Sequence, residues 1–166
     1  MSYDGRAVAN FILDFCEENN RSITHLSLQK ISFFCHAWYL VNFDKPLIKH
    51  EFEAWKHGPV LQYLYREFRK YDKDPIDGRA TGINTLTGRR EKVGYNFSLM
   101  ESDFLYKCVD FYSRLNASQL VELSHASNGP WDNVWNHSKS INPGMLIKNE
   151  EIKRYYSELE SSFVIQ

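Results

Sequence analysis

The chain reads as amphipathic segments separated by short polar corners. Val8, Phe11, Ile12 and Phe15 recur at i, i+3, i+4 and i+7, which places apolar side chains on one face of an α-helix. The polar pair Asn19 and Asn20 predicts its end. A wider apolar face follows in ITHLSLQKISFFCHAWYLVNF, with Thr24 as the N-cap candidate. Leu28, Ile31, Phe34, Cys35 and Trp38 form its stripe, flanked by Phe33, His36 and Tyr39. A helix apolar over so much of its circumference belongs at the centre of a fold, and it must stop before Pro46. In EFEAWKHGPV, residues 51–60, the period drops to two. Phe52 and Ala54 fall on one side and Glu53 and Trp55 on the other, predicting a short extended segment. Gly58 permits a turn that other residues resist. Pro59 suits the first position of a helix, and the helix face that follows is Leu61, Leu64, Tyr65 and Phe68, running to about residue 71.

From 72 to 97 the periodicity dissolves. This stretch holds Pro75 and four glycines and predicts a long variable connection, with a marginal hairpin near Thr87 and Gly88. Order returns at Ser98, which with Glu101 forms a capping-box signature. The helix behind it carries Phe104, Leu105, Cys108, Val109, Tyr112 and Leu115. Asn116 with Gln119 repeats the signature for a shorter helix. Gly129 and Pro130 open a further turn, PWDNVWNH, and a last helix is expected over about 144–160 with Met145, Ile152, Tyr155, Tyr156 and Leu159. The pattern predicts a mainly α fold: one compact helical domain over 1–166, of about six helices. It allows at most a small β-hairpin or short sheet around 50–56 and 80–97.

Length and composition agree with one globular domain: 166 residues, 43% hydrophobic and 25% charged. The aromatic share, 15%, is high and favours partner binding, because Tyr and Trp are at home in interfaces. Three cysteines, at 16, 35 and 108, form no CxxC pair and read as free thiols of a reducing compartment. The N-terminal residues lack the basic segment of a signal peptide, and no apolar run approaches the ~18 residues of a membrane span. A cytoplasmic protein with no membrane partner is expected.

The candidate chemistry is sparse. Six histidines are scattered without HExxH or Cys/His pairing, so no metal or other cofactor is expected. Cys35 and His36 are neighbours on a helix and point about 100° apart, which excludes a dyad between them. No nucleophile elbow, P-loop or dinucleotide fingerprint occurs, so no catalytic residue is assigned and the chain is not expected to be an enzyme. A small hydrolase or transferase using the His57/His125 region is the alternative. A third reading uses the basic 66–92 stretch, with eight Lys/Arg against five Asp/Glu, for nucleic acid; the net charge of −1 argues against strong phosphate binding. The 51–60 window reads first as a structural corner; its polar residues Glu53, Lys56 and His57 are either partnered internally, with Lys30 the candidate for Glu53, or a polar rim around Trp55. GPWDNVW repeats the Gly-Pro-Trp theme, and the two regions are expected to meet in space.

Three stretches taken together, LSLQKISFFCHAWYL (26–40), FEAWKHGPV (52–60) and LSHASNGPWDNVW (123–135), resemble the Panacea antitoxin domain, the SocA-like and phage-associated GepA-like family. The resemblance implies a mainly helical antitoxin of a type II-like toxin–antitoxin pair. Such a protein neutralises a toxin encoded nearby by direct protein–protein contact, and SocA-like members can act as proteolytic adaptors that deliver the toxin to an AAA+ protease. It carries over no catalytic residue. Lys30, Trp38, Gly58, Pro59 and Pro130 occupy family positions expected to hold the fold. Glu53, Trp55, His57, His125 and Trp131 are the partner-binding candidates, and the 72–97 loop is the expected seat of toxin specificity.

Overall fold

The computed structural model describes residues 2–137 and 141–165, the stretch 161–165 by its backbone alone. Helix α1 (Gly5–Glu18) is capped by Asp4, whose carboxylate accepts from the Arg6 N–H. Helix α2 (His25–Phe43) begins at Thr24, whose hydroxyl accepts from the Ser27 N–H at 3.3 Å. It packs against α1 and against every long helix that follows. That central position explains its nearly continuous burial from Ser27 to Leu40, where only Trp38 is half-exposed. His36 is among the buried residues. Its Nδ1 accepts from the Ile48 N–H, so Nε2 carries the proton toward Asn149 Oδ1 at 2.9 Å. Burial pushes its pKa down to about 4, and the neutral ring ties α2 to the start of the last helix.

Strand β1 (Phe52–Trp55) pairs antiparallel with β2 (Gly58–Val60), Ala54 opposite Pro59. Pro59 therefore lies in a strand and does not open a helix. As the edge strand of its sheet β2 tolerates a residue without an N–H. Helix α3 (Gln62–Phe68) starts three residues later, followed by a 3₁₀ turn over Arg69–Tyr71.

The 72–97 segment contains the hairpin expected near Thr87 and Gly88. Strands β3 (Thr81–Ile83) and β4 (Arg90–Lys92) form a separate antiparallel hairpin. Asn10 of α1 clasps its base. The Asn10 amide donates to the carbonyls of Ala80 (2.9 Å) and Val93 (2.8 Å) and accepts from the Ala80 N–H (2.8 Å). Asp14, one turn along α1, gathers Arg79 (2.7 Å), Lys92 (3.0 Å) and the Tyr95 hydroxyl (2.7 Å). These anchors are polar, so the hydrophobic period is silent about them.

Helices α4 (Leu99–Tyr112) and α5 (Ala117–Ser124) begin with the two expected capping boxes, at Ser98/Glu101 and Asn116/Gln119. PWDNVW, expected as a turn, is a short helix α6 (Pro130–Trp135), making seven α-helices among the described residues. The last helix, α7 (Asn149–Ile165), begins five residues later than expected. Gly144 and Met145 both have positive φ, at 79° and 53°, which breaks a right-handed helix. Leu146 and Ile147 form β5 instead, pairing with β1 to complete a sheet of order β2-β1-β5. One buried apolar cluster draws on every helix, from Val8 of α1 to Tyr156 of α7.

Candidate functional site

The turn between β1 and β2 is where three distant stretches of sequence converge. Lys56 and His57 form its tip without positive φ, and Gly58 makes the reversal at φ 110°. No side chain fits at Gly58. A Cβ there would lie 2.5 Å from Lys30 Cε and 2.6 Å from Ser124 Oγ, so α2 and α5 press on the turn from behind. Pro59 and Leu61 are then fastened to α2 by consecutive side chains. Lys30 Nζ donates to the Pro59 carbonyl at 2.8 Å. The Gln29 amide donates to the Leu61 carbonyl at 3.0 Å and accepts from its N–H at 2.9 Å, mimicking a strand pair. Lys30 is wholly buried, and burial lowers its pKa to about 7.

The other flank of the turn is held by α6. Trp131 Nε1 donates to the Trp55 carbonyl at 2.7 Å, so the two Gly-Pro-Trp regions do meet. Gly129 is the N-cap of α6 and Pro130 its first residue, which aims the Trp131 indole at the end of β1. The His125 imidazole stacks on Trp131 with ring centroids 3.6 Å apart and planes 9° from parallel. His125 Nε2 is buried without a hydrogen-bond partner. Burial, helped by the nearby Lys30 and His57, lowers the His125 pKa.

The expected Lys30–Glu53 pair does not form. Lys30 faces the Pro59 carbonyl, and Glu53 Oε2 accepts from Trp55 Nε1 at 2.7 Å. Adjacent odd positions of β1 share a face of the sheet, which is why Glu53 reaches the indole and not α2. Trp55 stands half-exposed with its ring edge-on to Tyr65 at 5.0 Å. His57 is exposed at the turn, whereas Trp131 is only 5% exposed and lies behind it. Trp38 stands apart from this cluster, donating to the Tyr112 hydroxyl at 2.8 Å and packing on Tyr156.

In front of Trp55 opens a cavity of about 590 Å³, walled by Leu26, Trp55, Val60 and Tyr65 and rimmed by charged side chains. Gln29 and Ser124 are the contributors that sequence reasoning passed over. Gln29 had a signal, its place beside Lys30 at the start of a buried helix. Ser124 had none, since its role is to be small beneath Gly58. No group of three or more His, Cys, Asp or Glu side chains is arranged to hold a metal ion among the described residues. The three cysteines are free and buried.

A model of the antitoxin SocA-like Panacea domain matches residues 28–132, a span that takes in the 52–60 stretch and most of the other two converging stretches. Over 153 residues, 92% of this chain and 81% of the relative, the chain is 37% identical to the protein named Antitoxin SocA of Caulobacter vibrioides (strain NA1000 / CB15N). The chain belongs to the SocA-like Panacea antitoxin family. No solved structure gives a significant match. In Panacea terms, the Leu-Gln-Lys stretch, the Glu-Ala-Trp-x-x-Gly-Pro-Val stretch and the Leu-x-His with its Pro-Trp are three sides of one construction. The first clamps the turn from below, the second is the turn, and the third buttresses it through Trp131. No helix among the described residues is long and apolar enough to cross a membrane.

Proposed function

We propose that this antitoxin acts in the cytoplasm by binding a toxin encoded beside it, covering a surface the toxin needs. The contact would lie around the β1–β2 turn, with Glu53, Trp55 and His57 in the open and His125 and Trp131 holding them from behind. The observation that carries the reading is the half-exposed Trp55 beside a cavity of about 590 Å³, on a turn fixed by Lys30, Gln29 and Trp131. A large aromatic on a rigid support is the usual anchor of a protein interface. Co-expression with the product of the neighbouring gene tests it. Growth arrest by that product alone, relieved when the two proteins are made together and co-purify, is the expected result. A harmless neighbour that does not co-purify overturns the proposal. Delivery of the toxin to an AAA+ protease, the adaptor role implied by the family, would be a second step on the same complex. It requires the toxin's half-life to shorten when this chain is present.

A further inference from the structure

The cavity in front of Trp55 has a sign. Lys56 and Lys73 stand on its rim, and neither has an ion-pair partner among the described residues. His25 and His57 add two imidazoles, and Asp72 is the one carboxylate of the lining. Glu53 lies close by, but its Oε2 is engaged by the Trp55 indole. Two helices also begin at the cavity: Thr24, the N-cap of α2, and Ala117, the first residue of α5, both line it. Neither helix has an acidic residue in its first turn, so the partial positive charge of both N-termini is left uncompensated. The walls are apolar and aromatic. Asp72 holds a sparsely populated backbone conformation, φ 51° and ψ −115°, and strain of that kind gathers at binding sites.

We infer that this cavity receives an acidic segment of the toxin, with one aromatic or branched apolar side chain seated against Trp55 and Tyr65 and flanking carboxylates meeting Lys56 and Lys73. The inference rests on the antitoxin reading and gives its contact surface a chemistry. The volume falls within the range of sites that engulf a ligand group. The walls supply the anchor, and the unpaired ammonium groups supply the selection for negative charge. The other large apolar hollow, between Trp38, Phe104 and Phe111, has no such bias, since its Lys107 is paired with Asp103 at 2.9 Å.

The test uses the full chain and the purified product of the neighbouring gene, titrated at low and at high salt. The variants are the double substitution Lys56→Glu/Lys73→Glu, its conservative counterpart Lys56→Arg/Lys73→Arg, Trp55→Ala, and Phe111→Asp in the other hollow. The two lysines make no ion pair, so the double variants should unfold at the wild-type temperature. Affinity should fall at least about tenfold in the charge-reversed variant, and its salt dependence should flatten, because rim charges act on encounter and on screening. The arginine variant should bind like wild type, Trp55→Ala should dissociate faster, and Phe111→Asp should be silent. Unchanged affinity and salt slope in the charge-reversed variant would overturn the inference. Loss of binding in Phe111→Asp alone would do the same and move the interface to the other hollow, leaving the antitoxin reading standing. A wild-type chain that does not bind its neighbour at all sinks that reading and this one with it.

Discussion

Lys30 sits in the core with a single carbonyl as its partner, and among the described residues no carboxylate answers its charge. Burial disfavours the ammonium and brings its pKa from 10.5 to about 7. In the unfolded chain Lys30 stays protonated to the higher value. Between those two pH values the unfolded chain binds more protons, so raising the pH favours the folded state; below the lower value the full cost of the buried charge is present. Lys30→Met removes this titration and leaves the Pro59 carbonyl without its donor. The wild type should therefore gain on Lys30→Met by roughly 4 kcal/mol between neutral pH and about pH 10, read as the difference between paired urea titrations. A difference that stays flat with pH would mean that the ammonium keeps its ordinary pKa in the folded protein. Glu101 shows the opposite logic. Burial would raise its pKa, but the hydroxyls of Tyr39 (2.6 Å) and Tyr3 (2.9 Å) and the Ser98 N–H hold it down at about 2.

At the scale of elements, one fully buried side chain holds the base of the β3–β4 hairpin. Asn10 is wholly buried and makes three hydrogen bonds to the hairpin's base. Asn10→Ala leaves the Val93 carbonyl and the Ala80 N–H unpaired, while the Ala80 carbonyl keeps the Val93 N–H at 3.0 Å, at a cost of about 2 kcal/mol. The hairpin should loosen before the rest of the fold does. Hydrogen exchange should accelerate at residues 80–93 and remain slow in α2, and uniform acceleration would show that the hairpin is not a separable unit. The sequence was legible where burial and periodicity coincide. Val8, Phe11 and Ile12 announced α1, and the Ser98/Glu101 and Asn116/Gln119 boxes marked the starts of α4 and α5 to the residue. It was mute where structure rests on polar contacts. Thr87 and Gly88 signalled the hairpin, but the exposed strand Arg90–Lys92 has no apolar face to fix its bounds, and Asn10 looks like an interruption in an apolar helix. Pro59 misled because the same fixed φ suits a helix start and an edge strand. At the candidate site, the meeting of Trp55 and Trp131 could be read from the repeated Gly-Pro-Trp theme. The true partners of Lys30 and Glu53 could not, since both choices depend on which way β1 faces.

At the scale of the molecule, the variable 72–97 segment joins two regions. It opens at the cavity rim with Asp72 and Lys73 and continues into the hairpin docked on α1. If specificity resides there, exchanging 72–97 for the corresponding segment of a family member that neutralises a different toxin should transfer the preference. Exchanging 80–93 alone should not transfer it if the rim makes the selection. Growth rescue against both toxins, scored for both chimeras, separates the rim from the hairpin; rescue of the original toxin by both would leave the segment as a connector.

The clamp around the turn also has a consequence in time. Lys30 waits for a carbonyl 29 residues further on, and the Trp55 carbonyl waits for an indole 76 residues further on. While the chain is being made, the turn leaves the ribosome long before its buttress does. A chain halted or cut ahead of Trp131 carries the contact residues in correct order and has no rigid surface to present them on. On the proposed contact, protection against a toxin would come only from whole molecules, and a fragment would count for nothing however much of the motif it retains.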